Sequence, residues 1–442
     1  MNSIIYLVEL GLFIYISIIL LSNKDKQTKF LWMFAGYAFL HPFFKMPILP
    51  IAPMWFPICV TYKAWRDKEL KSLWKNYPLR WITLAFFIYH VIHPLFYYWQ
   101  GFGISFYREI QEFIWTYYLL FVGFILCPSN WNWDKAIVNI ERIALVLISI
   151  SFLVQIVHAN FISLAFSSTG ETMYEFDTDS TRGFRDTGTQ FSPNIFGIIN
   201  VVVFLLIFYF EKNVVRRWIY LSFLFLVIVF TATRAPLVML IMSFMTYYAL
   251  KSKTKLLSIL LLFLPLVFIA GNIIPQTNIV GQYLSGVLDI FATGGQNTDG
   301  SSMELRENQW ETALFISADA PFMGHGAGYT NNLINENGIF SNIYKGGLAG
   351  AEGYQYYLVI DYGIIYFFMF IIFFASLFFF FFKGYRRNKE LSIFGFMFTI
   401  FELAFLLSSR PQNSWQMILP FVGLFMKMLY DYNAKASTYK MD

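Results

Sequence analysis

The sequence predicts an all-α, polytopic integral membrane protein with about thirteen (twelve to fourteen) transmembrane helices and one large extracytoplasmic loop carrying short helices. Three observations support this fold class. The chain is 57% hydrophobic and only 13% charged. Apolar runs near the roughly 20 residues needed to cross a bilayer recur from end to end, and no stretch remains that could build a soluble domain. Residues 1–442 are therefore expected to form a single polytopic membrane domain.

The apolar segments give the candidate spans in chain order. These are residues 3–22, 30–46, 50–66, 80–98, 108–127, 136–158, 193–210, 215–231, 234–250, 256–274, 354–382, 391–408 and 414–431. The first lacks a preceding basic region and a clear cleavage site, so we expect it to be retained rather than removed as a signal peptide. The region 30–65 is interrupted by several prolines, which leaves open two short spans or one re-entrant hairpin.

Basic residues cluster in alternate connections, and the positive-inside rule places those connections in the cytoplasm. The clusters lie at residues 24–29, 66–75, 212–217, 251–255, 383–389 and 435–440. Their alternation predicts an N-terminus outside and a C-terminus inside. It also places a loop at residues 160–192 and a large loop at residues 275–353 together on the outer face, beside Arg234 and Arg410.

The large outer loop contains a candidate amphipathic helix. Arg306, Trp310 and Ala313 recur at helical spacing, and acidic residues near the helix start suit the helix dipole. The helix is expected to stop between Asp319 and Pro321, because proline disfavours helix in the residue before it. Beside membrane spans, this pattern indicates a helix that lies on the bilayer.

A glycine-rich segment, GHGAGY, follows that helix. Gly324, Gly326 and Gly328 permit backbone conformations that other residues rarely adopt. The spacing predicts a tight turn that folds over a site.

The outer face carries arginine far more often than lysine. Its arginines are Arg108, Arg182, Arg185, Arg234, Arg306 and Arg410, against Lys345 as the clear lysine. A guanidinium presents a planar fork of donors that stays charged when partly buried, which suits phosphate and pyrophosphate oxygens. The alternative is that these arginines reach toward lipid headgroups or pair with nearby acids.

Four segments resemble the superfamily of O-antigen polymerases and O-antigen ligases, which are bacterial envelope glycosyltransferases. They are RGFRDTGTQFSPNIFG (182–197), TATRAP (231–236), the large-loop Arg306 and Trp310 with PFMGHGAG (321–328), and EGYQYYLVIDYG (352–363). The order and the large outer loop match the family pattern. Before these segments, the resemblance is one of topology only.

The resemblance implies transfer of a glycan from a polyprenyl-pyrophosphate carrier at the periplasmic face of the bacterial inner (cytoplasmic) membrane. Ligases of the family place a histidine where this chain has Glu352, eleven residues before Gly363, so the polymerase type is favoured. The acceptor is then the non-reducing sugar of another lipid-linked repeat unit. Two alternatives stay open, a ligase that joins glycan to lipid A core and a flippase that transports lipid-linked sugars.

We assign candidate roles on this basis. The expected catalytic residues are Glu352 as the base for the acceptor hydroxyl, with Arg306 and Arg234 stabilising the leaving pyrophosphate. The expected substrate-binding residues are Arg182, Arg185, Asn194, Trp310, His325, Tyr329 and Arg410. Expected partners are polyprenyl-pyrophosphate-linked oligosaccharides, membrane lipids and a chain-length regulator protein, with no nucleic acid. Glu352 could instead be an ordinary carboxylate paired with an arginine.

No metal and no cofactor are expected. Asp177 and Asp179 form a DxD pair, but on the outer face, where nucleotide sugars are absent, it is interpreted as part of a solvated loop. His90 and His93 share a helix face without a third ligand nearby in sequence, which indicates interhelical hydrogen bonds. Cys59 and Cys127 both lie in apolar segments and are interpreted as packing residues.

The predicted topology can be tested by cysteine labelling. A cysteine introduced at Asn297 or Asn337 is expected to react with a membrane-impermeant thiol reagent in cells with a permeable outer envelope, and one at Asn388 is not. The opposite labelling pattern would put the large loop on the cytoplasmic side and exclude the periplasmic reaction.

Overall fold

The structure is a computed structural model. It describes residues 2–40, 52–97, 101–162, 184–190, 192–252, 303–335, 348, 353–406 and 415–438. Within these residues every regular element is helical, as the fold class predicts.

The helices are numbered in chain order. They are α1 (Asn2–Leu21), α2 (Lys26–Phe39), α3 (Ala52–Arg66), α4 (Leu70–Asn76), α5 (Arg80–Phe96), α6 (Phe102–Trp115), α7 (Tyr117–Leu126), α8 (Trp133–Val157), α9 (Pro193–Phe210), α10 (Val214–Phe230), α11 (Arg234–Lys251), α12 (Met303–Ser317), α13 (Tyr329–Asn335), α14 (Tyr354–Tyr357), a π-helical turn (Leu358–Tyr362), α15 (Gly363–Tyr385), α16 (Lys389–Leu406) and α17 (Trp415–Thr438).

Several helices are long and apolar enough to cross a membrane. By length and composition three qualify among the described residues, namely Trp133–Val157, Pro193–Phe210 and Tyr354–Tyr385, or up to five if each of two bent pairs is one span. The bent pairs are α4 with α5, at 109°, and α6 with α7, at 45°. The apolar helices support an integral membrane protein, while the predicted count of thirteen spans is not confirmed. The predicted span 256–274 lies outside the described residues.

Two glycines let helices α7 and α17 cross in backbone contact. A Cβ atom on Gly123 would lie 2.1 Å from the carbonyl oxygen of Pro420, and one on Gly423 would lie 2.0 Å from that of Leu120. Close approach through small residues is the usual way in which helices associate in membranes, because lipid removes the hydrophobic driving force between them. This crossing ties the N-terminal helices to the last helix of the chain.

Aromatic packing extends from this crossing toward the π-helical turn. Trp415 is fully buried, and its ring lies 5.0 Å from the ring of Tyr117 and 6.2 Å from that of Tyr354. Cys59 and Cys127 are buried free cysteines, so their interpretation as packing residues is confirmed.

One face of α15 is apolar and exposed. Phe368, Ile372, Phe379 and Phe382 are each more than half exposed. A soluble protein rarely presents such a continuous apolar surface, whereas a helix that contacts lipid requires one. This face therefore supports the membrane assignment independently of helix length.

Candidate active site

The site is organised around a turn inserted into a broken helix. Residues 321–328 follow α12 and dock where the π-helical turn gives way to α15. The backbone N–H groups of His325 and Gly326 donate to the carbonyls of Ile360 and Asp361, both at 2.9 Å. In the opposite sense, the N–H groups of Ile364 and Ile365 donate to the carbonyls of Pro321 and Phe322 at 2.9 and 3.2 Å.

This exchange satisfies backbone groups that a helix break leaves unpaired. A helix that starts anew has no internal partner for its first N–H groups, and one that stops has none for its last carbonyls. Gly363, at φ +73°, ends the π-helical turn and redirects the chain. The turn of residues 321–328 supplies both sets of missing partners, so it fits this break as a complementary piece.

The three glycines of the turn adopt positive φ angles, as predicted. Gly324, Gly326 and Gly328 have φ values of 68°, 102° and 83°. The contact is also very close, because a Cβ atom on Gly324 would lie 2.4 Å from the carbonyl carbon of Asp361. Both the conformation and the space therefore require glycine at this position.

Asp361 fixes the far end of the same turn. One oxygen of its carboxylate accepts from the N–H of Gly328 at 3.0 Å, and the other accepts from the N–H and hydroxyl of Thr330 at 2.7 and 2.5 Å. The N–H groups of Gly328 and Thr330 lie at the start of α13, where helix N–H groups have no partner within the helix and therefore favour an anion. Asp361 is thus a structural carboxylate that holds the turn over the site.

The turn of residues 321–328 and the helix break before α15 together form a joint. Helices α5 and α6, from the N-terminal half of the chain, contact this joint. The two oxygens of Glu109 contact Nδ1 of His90 at 2.5 Å and Nδ1 of His93 at 2.6 Å, and all three side chains are fully buried. Nε2 of His93 donates to the carbonyl of Met323 at 2.6 Å, and the hydroxyl of Tyr89 donates to the carbonyl of Tyr362 at 2.6 Å. The prediction that the two histidines make interhelical hydrogen bonds is confirmed.

The hydrogen bonds of His93 also fix where its protons lie. Because the Met323 carbonyl can only accept, Nε2 of His93 carries a proton, and a second proton lies between its Nδ1 and Glu109. Among the described residues, no group of three or more histidine, cysteine, aspartate or glutamate side chains could hold a metal ion. The expectation that no metal is bound stays a prediction.

A cavity of about 260 Å³ lies between helix α6 and the turn. Its lining residues are Arg108, Gln111, Glu112, Ala327, Gly328, Asn331, Tyr354, Tyr357, Asp361 and Tyr362. The volume is slightly below the roughly 300–1,000 Å³ typical of drug-sized ligand sites. The cavity therefore suits a ligand about the size of a sugar ring rather than a whole oligosaccharide.

Helix α6 brings an acidic and a basic group to the same wall of this cavity. Glu112 is buried, and its Oε1 accepts a hydrogen bond from the hydroxyl of Tyr354 at 3.3 Å. Arg108 lies against the turn, since a Cβ on Gly328 would be 2.4 Å from one of its terminal nitrogens. The bend at Thr116, between α6 and α7, sets α6 at an angle that lets these side chains reach the turn.

Three of the predicted substrate-binding residues form a small cluster beside the cavity. Trp310 is half-buried and its ring lies 6.1 Å from that of Tyr356, while Ala313 is fully buried, as the predicted helix face requires. His325 stacks on Tyr329 at 4.4 Å, and its Nε2 donates to the carbonyl of Ile316 at 3.1 Å. None of the three lines the cavity, so their binding roles stay predictions.

A second group of predicted residues lies at a turn between α8 and α9. The carbonyl of Arg185 accepts from the side-chain amide of Asn160 at 2.9 Å, and Asn194 is half-buried in the first turn of α9. Between them, burial raises the pKa of the Asp186 carboxyl to about 7, although hydrogen bonds from Ser151 and from the N–H of Gly188 oppose the shift.

The segment TATRAP packs against this second group. The N–H of Asp186 donates to the carbonyl of Phe230 at 3.0 Å. A Cβ on Gly197 would lie 2.4 Å from Pro236. The first two of the four resembling segments are therefore neighbours, just as the last two are.

Part of the chain matches a known protein family. Residues 219–357 match the O-antigen ligase family model. No curated protein matches the chain. The family match supports the superfamily of O-antigen ligases and polymerases and an enzyme that transfers glycans, without distinguishing ligase from polymerase. The match covers less than half of the chain; it includes the turn of residues 321–328, but neither α6 nor the π-helical turn.

Several predicted residues, or their side chains, lie outside the described part of the chain. Arg182, Glu352 and Arg410 lie outside the described residues, and the side chains of Arg234 and Arg306 do as well. Arg234 begins α11, and Arg306 lies in the first turn of α12. Their catalytic and binding roles stay predictions.

The structure also adds residues to which sequence reasoning gave no role. Glu112 and Asp361 were not candidates, and Arg108 was noted only as one of the outer arginines. A signal for α6 was present, because Arg108, Gln111 and Glu112 are polar at positions i, i+3 and i+4 of one predicted helix, so they share one helix face.

The tight joint predicts a strong effect of Gly324→Ala. A methyl group there meets the Asp361 backbone at a positive φ, and backbone strain of this kind costs on the order of 1–3 kcal/mol. We expect a lower midpoint of thermal unfolding in detergent. Gly11→Ala is the matched control, because a Cβ at that helical position meets nothing within 4 Å. Equal midpoints for the two variants would show that the joint tolerates displacement.

Proposed function

We propose that this protein is a polymerase of polyprenyl-pyrophosphate-linked oligosaccharide repeat units, of the O-antigen or capsule type. It acts at the periplasmic face of the bacterial inner membrane, with its N-terminus in the periplasm and its C-terminus in the cytoplasm. The observation that carries the proposal is the sugar-sized cavity beneath a turn that lies within the segment matching the O-antigen ligase family.

The lining of the cavity supports a carbohydrate substrate. A sugar hydroxyl both donates and accepts hydrogen bonds, and carboxylate, guanidinium and amide groups can meet it in both senses. Glu112, Arg108 and Asn331 supply these groups. Tyr354 and Tyr357 supply aromatic surface for the apolar face of a sugar ring.

In the proposed reaction, the non-reducing sugar of one lipid-linked repeat unit attacks the growing chain on a second carrier. A bond forms between the acceptor oxygen and the anomeric carbon, the bond from that carbon to the pyrophosphate oxygen breaks, and polyprenyl pyrophosphate leaves. Glu352 takes the acceptor proton as general base. Arg234 and Arg306 stabilise the charge that develops on the leaving group, which electrostatic preorganisation does without cost at the moment of reaction.

The remaining predicted residues bind substrate in this proposal. Arg182, Arg185 and Arg410 contact pyrophosphate oxygens, and Asn194 donates to or accepts from the glycan. Trp310, His325 and Tyr329 form the aromatic cluster beside the cavity, where they stack on the glycan. A chain-length regulator is a further expected partner.

The polymerase is favoured over the ligase by Glu352. Ligases of this family place a histidine at the corresponding position, eleven residues before Gly363, whereas His325 lies in the turn and donates to a backbone carbonyl. The description of the matching family model favours the ligase as the second candidate.

Reconstitution separates these functions. Purified protein in proteoliposomes is given lipid-linked repeat units, and the products are resolved by chain length. Lengthening of the lipid-linked chain supports the polymerase. Transfer only to added lipid A core indicates the ligase, and transbilayer movement without lengthening indicates a flippase.

We predict that Arg306→Lys loses most of the activity although it keeps the charge, because a point charge cannot replace a bidentate grip on phosphate. A charge-assisted hydrogen bond is worth about 1.5–3 kcal/mol, which corresponds to a roughly tenfold to hundredfold lower rate of chain lengthening. Arg142→Lys serves as the control, because the Arg142 side chain is exposed. If the Arg306 variant keeps the wild-type rate, the pyrophosphate clamp is wrong for this residue.

Glu352→Gln tests the base. The amide keeps the size and much of the hydrogen bonding but cannot accept the proton, so the rate is expected to fall about 100-fold to 10,000-fold. Cells would then carry surface glycan capped at a single repeat unit, whereas a ligase defect would leave full-length chains on the carrier. The control is Glu390→Gln, whose side chain is 76% exposed. An intact ladder of long chains in the Glu352 variant would remove the base assignment.

A further inference from the structure

Helix α6 presents one polar face to the cavity, while apolar residues at its start are exposed. Arg108, Gln111 and Glu112 all line the cavity. Phe102 and Ile104, earlier in the helix, are about half exposed at 49% and 54%. A polar stripe at i, i+3 and i+4 on such a helix costs free energy in lipid unless it faces protein or a ligand.

Glu112 is held in place from the opposite wall. Its exposure is only 6%, and the Tyr354 hydroxyl, which donates to it, comes from helix α14 across the cavity. Tyr354 also packs against Phe370 at 5.9 Å and Trp415 at 6.2 Å, which fixes the direction of its ring. The carboxylate is thus positioned by the bundle core, as a recognition group must be.

The signs of the charges decide which part of a lipid-linked glycan this cavity suits. Among the described residues, its lining holds two carboxylates, Glu112 and Asp361, and one guanidinium, Arg108. A pyrophosphate placed here would face more negative than positive charge from these residues, and like charges brought together cost several kcal/mol. A neutral sugar would instead find acceptors, donors and tyrosine rings on facing walls.

Size favours the same ligand. About 260 Å³ is small compared with sites for larger ligands, which suits a single sugar ring better than a longer part of a lipid-linked glycan. Arg185, the expected pyrophosphate-binding arginine whose side chain the structure describes, is not among the residues that line it.

We propose that helix α6 forms the recognition wall of a saccharide subsite, in which Arg108, Gln111 and Glu112 bind the terminal non-reducing sugar of the acceptor. This inference rests on the proposed function for the identity of the acceptor. The turn of residues 321–328 closes the subsite from the segment that matches the family, whereas the wall comes from outside that segment. The wall is therefore the part of the site that sets sugar preference.

The test uses the full-length protein in lipid nanodiscs. The probe is the repeat oligosaccharide released by mild acid from lipid-linked repeat units that accumulate in a deletion strain. Saturation-transfer difference NMR then reports which sugar ring contacts the protein. The strongest transfer is expected on the terminal non-reducing ring, and added inorganic pyrophosphate is expected to leave it unchanged.

Two variants address the wall directly. Gln111→Ala removes a half-buried amide, and Glu112→Gln removes a charge while keeping the shape. Each is expected to weaken the transfer signal and to raise the KM for the acceptor by about tenfold, since a buried hydrogen-bond partner lost in this way costs about 1–3 kcal/mol. Glu141→Gln is the matched control, because Glu141 is 5% exposed but pairs with Arg216 and does not line the cavity.

The outcomes separate this inference from the proposed function. If the wild type lengthens chains and both wall variants keep its acceptor KM and its transfer signal, the subsite is wrong and the polymerase stands. If the wild type binds the oligosaccharide through the wall but does not lengthen chains, the polymerase is wrong and the subsite stands. Displacement of the sugar by pyrophosphate would overturn the choice of a neutral ligand.

Discussion

The structure depends on the backbone exchange between the turn of residues 321–328 and the break before α15. A helix interrupted inside a membrane protein exposes N–H and carbonyl groups that lipid cannot satisfy, each at a cost of several kcal/mol. Here the turn satisfies those of Ile360, Asp361, Ile364 and Ile365. The break is therefore maintained only while the turn is docked, and the turn keeps its shape only because glycine permits it.

The same joint gathers three distant parts of the chain. Helix α5 reaches it through Tyr89 and His93, and α6 joins through Glu109 and the cavity wall. The crossing of α7 and α17 at Gly123 and Gly423 holds this N-terminal group against the C-terminal bundle. A cavity built on such a joint is preorganised, because each wall is fixed by contacts that do not involve the ligand.

Sequence patterns predicted local features well. Helix α12 ends at Ser317, next to the expected stop, and Gly324, Gly326 and Gly328 have positive φ, because proline and glycine act on their own backbone. The wall of α6 was not predicted as a site, since Glu112 meets Tyr354 across 242 residues of sequence. Spacing shows that Arg108 and Glu112 share a face, but not what that face contacts.

In the proposed reaction, charge separates two substrates that are chemically alike. Donor and acceptor both carry polyprenyl pyrophosphate, so a site that bound only this group could not tell one from the other. Among the described residues, the cavity combines Glu112 and Asp361 with the guanidinium of Arg108, a lining that disfavours pyrophosphate and suits the distal sugar. In the proposal, pyrophosphate is bound instead by the arginines at positions 182, 185, 234, 306 and 410. In the proposal, the acceptor enters by its non-reducing end, which is the end at which polymerisation adds the chain.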